Sequence, residues 1–210
     1  MAASVPSGKA LPAGFAASYL KVMVDLIGRH GADAVLRRSG LEAWIGRPES
    51  SLADETLDFA QAAAWLNGLE ETLGARGARG LGRRMGGAAF ERVLQPVGAV
   101  AAMRDPGFQA FPVDRRLRAG MYVLARTFGP MTSTAVTTRE EQGAVILRLE
   151  ACPDCWGRTA PPMACAPMLG LLSAAAAWIA PEAETQVDET NCRAQGVPAC
   201  EFRLRWEDGG

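Results

Sequence analysis

The stretch of sequence that decides the fold is ETQVDETNCRAQGVPACEFRLRW, residues 184–206. Its two ends, residues 184–189 and 200–206, have the alternating composition of β-strands. The loop between them contains Gly196 and Pro198, which favour a change of chain direction. The stretch therefore predicts an antiparallel hairpin.

Upstream of this hairpin, the sequence predicts a second hairpin and a helix. Residues 133–139 are rich in threonine and valine, residues 141–143 supply a turn, and residues 144–149 alternate as a half-buried strand does. Pro167 suits the first turn of a helix, and small residues follow it as far as Ala177. The predicted order after residue 130 is ββαββ.

The first half of the chain predicts helices. Apolar residues recur there at helical spacing, beginning with Tyr19, Val22, Met23, Leu26 and Ile27 before a break at Gly28. Two further helices are predicted over residues 32–38 and 114–128. Another begins at a cap, either Ser51 or Asp54, and runs to about residue 73. A fourth covers residues 88–103, with a break at Pro96. Helices followed by antiparallel hairpins indicate an α+β fold. We expect one domain with a helical portion, 1–130, and a ββαββ portion, 131–210.

Composition excludes several classes of protein. The 210 residues carry a formal net charge of −1, which argues against a nucleic-acid partner. The longest apolar run, residues 168–180, is shorter than the roughly 20 residues that span a bilayer. No signal peptide is visible in the first residues. The sequence thus predicts a cytoplasmic protein with reduced thiols and no transmembrane segment.

All five cysteines follow residue 150, which suggests metal or redox chemistry. The strongest set of candidate ligands is Cys165, Glu189, Cys192 and Cys200. Thiolates suit zinc, and a carboxylate can complete a tetrahedron. Glu189 and Cys192 lie on opposite faces of a regular strand, so a shared ion requires a turn or bulge near Asn191. The alternative is that these are buried cysteines that act as small apolar residues.

Cys152 and Cys155 form a second motif, CPDC. A CxxC pair can bind metal, shuttle electrons or exchange disulfides, and we keep both residues as additional metal or redox candidates. An iron–sulfur cluster is a further alternative. The single histidine, His30, stands where imidazoles cap helices, and its alternative role is axial ligand to a bound metallotetrapyrrole. No nucleotide-cofactor motif is found.

Residues 152–206 resemble a known family. The CPDC motif, the helix start CAPMLG at residues 165–170 and the Glu-x2-Cys-x7-Cys hairpin are similar to the 4-vinyl reductase domain, which regulators that sense aromatic compounds share. The resemblance implies that the matching Cys165, Glu189, Cys192 and Cys200 hold zinc. It also implies a homodimeric ligand-binding fold related to trafficking-complex subunits, with a pocket for a flat apolar ligand.

The same resemblance implies a function in bacteriochlorophyll (chlorophyll) biosynthesis and photosynthesis. The favoured role is a carrier that binds tetrapyrroles, either porphyrin or protochlorophyllide intermediates, next to the photosynthetic membrane and to enzymes such as magnesium chelatase. The first alternative is an 8-vinyl reductase that acts on divinyl chlorophyllide, and the second is a small-molecule sensor module. A closed zinc site is redox-inert, and no nicotinamide or flavin fingerprint is present, so a non-catalytic role is favoured.

A tetrapyrrole requires apolar walls and a cationic rim, which we expect between the helices and the sheet. The candidate walls are Met23, Leu26, Trp44, Trp65, Met121 and Tyr122. The candidate rim consists of Arg115, Arg116 and Arg118. The alternative is that these residues form a closed core and solvated faces.

Overall fold

The structure, a computed structural model, describes residues 6–159 and 164–207. Its helices are α1 (Phe15–Arg38), α2 (Phe59–Ala89), α3 (Gly98–Ala101), α4 (Pro106–Gln109), α5 (Val113–Thr132) and α6 (Ala166–Ile179). Its strands are β1 (Ala10–Leu11), β2 (Leu57–Asp58), β3 (Val136–Glu141), β4 (Ala144–Leu149), β5 (Glu184–Asn191) and β6 (Cys200–Glu207). Within the described ranges, no helix combines the length and the apolar character that a membrane crossing requires.

Two predicted helix breaks are confirmed. The chain leaves helical geometry inside α1 at Gly28, where φ is 70°, a conformation that glycine adopts without strain. After α2, a π-helical turn (Phe90–Leu94) precedes Pro96, and helix resumes at α3. Both breaks follow from backbone chemistry that is local to the sequence.

The predicted start of the helix after residue 50 is wrong. Neither Ser51 nor Asp54 caps it, because α2 begins at Phe59 and its N-cap is Asp58. The Asp58 carboxylate accepts a hydrogen bond from the Ala60 N–H at 2.7 Å. In return, the Gln61 side chain accepts one from the Asp58 N–H at 3.1 Å. This reciprocal capping box satisfies backbone donors that a start further upstream would leave unpaired.

The main sheet has four antiparallel strands in the order β3-β4-β6-β5. Both predicted hairpins and the helix between them are confirmed, and so is the α+β fold class. The β5–β6 register shifts between Glu189 and Asn191. This bulge is the irregularity that the sequence required if Glu189 and Cys192 were to approach one another.

Strand β4 differs from its prediction as a half-buried strand. Val145, Ile146 and Leu147 are all buried, so both faces of β4 are covered. The cross-strand neighbours of Ile146 are Arg139 and Arg203. Arginine stems can cover apolar surface while the guanidinium group stays polar. Arg203 lies 3.0 Å from the Glu141 carboxylate, which fixes one of these stems across β4.

The contacts between helices position the first half of α6. Helix α5 contacts β3 and β4, α6 contacts β5, and α2 packs on both α1 and α6. A Cβ atom on Gly86 would overlap the Pro167 carbonyl group, and one on Gly170 would overlap the Arg83 carbonyl group. These glycines therefore allow α2 and α6 to approach backbone to backbone. The hydrophobic core that results is one cluster with members from Leu11 to Leu204.

Candidate metal centre

The five cysteines converge at one end of the main sheet, where β4 and β5 end and β6 begins. Cys152 follows β4, and Cys155 ends a short 3-10 turn after it. Cys165 immediately precedes α6, Cys192 follows β5, and Cys200 is the first residue of β6. Because β4 and β6 pair with Leu149 opposite Cys200, the loop after β4 lies beside the start of β6. All five thiols are buried and form no disulfide.

The distances between sulfur atoms match those of a thiolate metal site. Cys165 Sγ lies 3.7 Å from Cys192 Sγ and 3.8 Å from Cys200 Sγ. A zinc–sulfur bond of about 2.3 Å places the sulfurs of a regular tetrahedron roughly 3.8 Å apart. The cluster therefore has the spacing that a tetrahedral ion requires.

Glu189 is the fourth candidate ligand of the predicted set. One carboxylate oxygen, Oε2, accepts a hydrogen bond from the Cys165 N–H at 3.2 Å. The other, Oε1, is buried without a hydrogen-bond partner. A buried carboxylate oxygen left unpaired is unfavourable, and a cation would satisfy it. The ligand atoms of Cys165, Glu189, Cys192 and Cys200 all lie within 4.8 Å of one another.

A second group of four thiols overlaps the first. Cys152 Sγ is 3.5 Å from Cys165 Sγ, and Cys155 Sγ is 3.4 Å from Cys200 Sγ. These four sulfurs also lie within 4.8 Å of one another. The structure thus brings the two CPDC cysteines to the same cluster as the predicted zinc ligands.

The thiols cannot all ionise without a positive charge beside them. Burial raises the pKa of the Cys152 thiol to about 12. Hydrogen bonds within the cluster, first of all with Cys152, lower the pKa of Cys155 and raise that of Cys200. A divalent cation would supply the charge that stabilises the thiolates.

A buried polar network connects the cluster to the helices. Asp154, between the two CPDC cysteines, accepts a hydrogen bond from the Met168 N–H at 2.8 Å. Burial nevertheless raises the pKa of its carboxyl group to about 8. Arg158 donates to the Asp154 carbonyl oxygen at 2.9 Å and to the Glu70 carboxylate on α2 at 2.6 Å. The sequence interpretation missed these residues, although an acidic residue inside a CxxC motif was a signal for Asp154.

The helical half buries an aromatic cluster next to this network. The Trp65 ring lies at 5.8 Å from that of Tyr19 and at 5.4 Å from that of Trp44, both edge to face. The Trp65 indole N–H donates to Met23 Sδ at 3.1 Å. Burial raises the pKa of Tyr19, and the charges of Asp154 and Cys152 raise it further. Tyr19 therefore belongs to the aromatic cluster, and its pKa responds to charges at the cysteine loop.

The structure brings only some of the predicted pocket walls together, since Met23 and Trp44 both contact Trp65. Met23, Trp44, Trp65 and Met121 are buried in the core. Leu26 and Tyr122, in contrast, are 45% and 57% exposed. The pattern did not separate buried from exposed helix faces at these two positions, because both faces of α1 and α5 carry apolar residues.

The three predicted rim arginines have partners within the protein. Arg116 is buried, forms an ion pair with Glu182 and donates to the Ile179 carbonyl oxygen at 3.3 Å. The Arg115 guanidinium group lies 3.9 Å from the centre of the Phe111 ring.

Arg118 donates to the Ala144 carbonyl oxygen at 3.1 Å. Together with Arg115 and Tyr122 it lines a surface groove beside β3. The arginines therefore fix α5 to its neighbours and do not surround the aromatic cluster. His30, the candidate axial ligand, is exposed on α1.

No family model and no curated protein matches the chain. Among solved structures, a mutant H-NOX protein of T. tengcongensis is similar with a TM-score of 0.57 and 16% identity, over 94% of this chain and 98% of that chain. An H-NOX protein of S. oneidensis is similar with a TM-score of 0.54 and 12% identity, over 91% and 98%. The phenol-responsive sensory domain of the transcription activator PoxR is similar with a TM-score of 0.51 and 20% identity, over 73% and 78%.

These comparisons show a shared fold and correct the sequence interpretation. The chain has the α+β fold of these proteins. The resemblance to the 4-vinyl reductase family is wrong, since no family model supports it and the similar structures are H-NOX proteins and a phenol-responsive domain. The expected place in bacteriochlorophyll biosynthesis and photosynthesis, which depended on that resemblance, is wrong as well. The homodimer and the partner proteins stay predictions.

Proposed function

We propose that this chain is a small-molecule sensor domain that binds an aromatic ligand in its helical core and holds a structural zinc ion at its C-terminal hairpin. The observation that carries the proposal is the buried aromatic cluster in which Tyr19 and Trp44 pack against Trp65. The Tyr19 ring contacts Trp65, and burial together with the charges of Asp154 and Cys152 raises the pKa of its hydroxyl group. A ligand that displaces or reorients these rings would therefore also act on the cysteine loop.

The favoured ligand is a molecule with a single aromatic ring. Trp65 is completely buried, and its partners Tyr19 and Trp44 surround it edge to face. A monocyclic phenol can replace one ring-sized group in such a cluster and retain edge-to-face contacts. The PoxR sensory domain, which was solved with phenol, supports this ligand class.

A tetrapyrrole is the second candidate, because the H-NOX proteins that share this fold are described with heme. A tetrapyrrole is far larger than a single aromatic ring, so more side chains of the helical core would have to move to admit it. The chain's single histidine, His30, is exposed on α1, which argues against its use as a buried axial ligand. Ligand size and the exposure of His30 both favour the monocyclic ligand over the tetrapyrrole.

Zinc would be held by Cys165, Glu189, Cys192 and Cys200. When bound, it supplies positive charge and a rigid four-ligand connection, and it leaves no open coordination position for catalysis. The chain's own residues then fix the geometry. The bulge of β5 directs Glu189 toward the Cys165 N–H, and the α2–α6 contact holds the start of α6 in place.

The test is a titration of the purified, reduced, zinc-containing chain with phenol, protoporphyrin and hemin, followed by calorimetry and tryptophan fluorescence. We expect saturable phenol binding that changes the fluorescence, and at least a tenfold weaker affinity in Trp65→Leu. The control, Tyr122→Ala, alters an exposed aromatic residue on α5 and should bind as the wild type does. Saturable binding of porphyrin or hemin alone would favour the second candidate, and no saturable binding of any of the three would contradict the proposal.

A further inference from the structure

Two buried thiols lie against the proposed zinc site without belonging to it. Cys152 Sγ is 3.5 Å from Cys165 Sγ, and Cys155 Sγ is 3.4 Å from Cys200 Sγ. Each CPDC cysteine is therefore about one tetrahedral edge away from a ligand of the first ion. The two four-ligand groups of the cluster share Cys165 and Cys200.

A thiolate sulfur has enough lone pairs to bind two metal ions at once. We propose that the cluster holds two zinc ions bridged by the thiolates of Cys165 and Cys200. The terminal ligands are Cys152 and Cys155 on one ion and Glu189 and Cys192 on the other. This inference rests on the proposed zinc site, to which it adds the second ion.

The geometry of the cluster fits two tetrahedra with a common edge. The proposed bridging sulfurs, Cys165 Sγ and Cys200 Sγ, are 3.8 Å apart, which is the expected length of such an edge. The six ligand atoms form two groups of four rather than one group of six. Terminal ligands on opposite sides of a shared edge should separate in this way.

The charges of the cluster also allow the second ion. Two divalent ions with five thiolates and one carboxylate carry the same net charge as one ion with three thiolates and that carboxylate. With one ion, Cys152 and Cys155 would remain neutral thiols packed against ligated thiolates. With two, every cysteine of the chain is a ligand, and the second ion adds no net charge to a buried site.

The surroundings of the CPDC cysteines give the second ion a route and nearby donors. Cys152 and Cys155 line a cavity of about 380 Å³ together with Trp156, Arg158 and Arg193. This cavity reaches the thiols from outside the core. The Arg193 N–H donates to Cys200 Sγ at 3.3 Å, a hydrogen bond that stabilises negative charge on a proposed bridging sulfur.

The experiment counts the ions on the full chain. The protein is purified with zinc and a reductant under anaerobic conditions, and native mass spectrometry gives the number of ions per chain. We expect two in the wild type and one in the double variant Cys152→Ser/Cys155→Ser. The control Glu184→Gln changes an exposed carboxylate on the same strand as Glu189 and should retain two.

Exchange of zinc for ¹¹³Cd identifies the ligands of each ion. The wild type should give two cadmium resonances, one from an all-sulfur site and one from a site with an oxygen ligand, and the double variant should keep only the second. Saturation of the wild type at one ion, with a resonance that the double variant does not change, would overturn the inference and leave the single-zinc proposal intact. If the chain binds no zinc, or binds iron with sulfide instead, the two-ion inference and the single-zinc proposal are both contradicted. If the double variant fails to fold, the wild-type count decides alone.

Discussion

The helical half and the C-terminal hairpin of this protein hold their structure in different ways. Between α1 and α2, large apolar side chains such as Trp65 pack tightly, and few polar groups are buried with them. At the hairpin, the buried groups are small thiols and a carboxylate oxygen of Glu189 that has no hydrogen-bond partner. The stability of the helical half depends on side-chain volume, whereas the stability of the hairpin depends on individual ligand atoms.

This difference explains why the two regions should respond differently to substitution. Loss of volume in an apolar core removes contacts in proportion to the atoms deleted. Loss of one ligand from a metal site removes a large part of the binding free energy, although the side chain hardly changes in size. Four variants test the comparison, from the largest expected effect to the smallest.

The largest effect is expected from Cys192→Ser, which exchanges one sulfur atom for oxygen. Cys192 Sγ lies 3.7 Å from Cys165 Sγ in the proposed zinc site. We expect the free energy of unfolding to fall by on the order of 5 kcal/mol, because structural zinc contributes about 10–16 kcal/mol of binding free energy in zinc-finger peptides. Urea denaturation with and without a zinc chelator measures the loss, and the chelator should destabilise the wild type but hardly affect the variant.

The matched control for this variant is Ala199→Ser, which buries a hydroxyl group in the same hairpin without removing a ligand. It should lose only about 1–3 kcal/mol, the usual effect of burying such a group. Equal losses in the two variants, together with a wild type that the chelator does not destabilise, would mean that the hairpin depends on packing as the helices do.

The second variant, Trp65→Ala, tests the helical half. Trp65 is completely buried against Tyr19 and Trp44, so its truncation should lower the free energy of unfolding by about 3–5 kcal/mol. Metal analysis of the folded variant should show the same zinc content as the wild type. A matching loss of zinc would show that the two regions are one cooperative unit and would weaken the comparison.

The sequence predicted the hairpin region better than the helical core, for a physical reason. Strand alternation, turn residues and cysteine spacing are local signals, and the need for a bulge between Glu189 and Cys192 followed from strand geometry alone. The packing of Tyr19 against Trp65 depends instead on contacts between distant segments. Apolar periodicity showed that Met23 and Leu26 belong to a helix, but not that the first is buried and the second exposed.

The third variant, Gly86→Ala, acts where the two regions join. Its new Cβ atom would overlap the Pro167 carbonyl group and lie 2.9 Å from the Leu171 nitrogen, so α2 and α6 would have to separate. We expect a loss of roughly 1–3 kcal/mol in the free energy of unfolding, as for other overpacked sites.

The control for this junction is Gly80→Ala, on the same helix, where the Cβ atom would have no neighbour within 4 Å. Alanine is the better helix former by about 1 kcal/mol, so this variant should be as stable as the wild type or more stable. Thermal unfolding of both variants distinguishes close packing from helix propensity. A Gly86→Ala variant that is more stable than the wild type would contradict the close approach of α2 and α6.

The smallest effect is expected at the start of α2, where the sequence interpretation and the structure disagree. Asp58 accepts hydrogen bonds from the Ala60 N–H at 2.7 Å and from the Ser7 N–H at 3.1 Å, so Asp58→Ala removes an N-cap and a contact with the N-terminal segment. N-cap truncations lower stability by about 0.5–2 kcal/mol, and we expect a value in the upper part of that range.

Asp54→Ala is the matched control, because Asp54 is exposed and was the predicted cap. It should change the free energy of unfolding by no more than about 0.5 kcal/mol, the usual limit for surface substitutions. If urea denaturation gave the larger loss for Asp54→Ala, the helix would begin where the sequence placed it. The helical half would then owe its boundaries to local signals, as the hairpin does, and the contrast between the two regions would be confined to their cores.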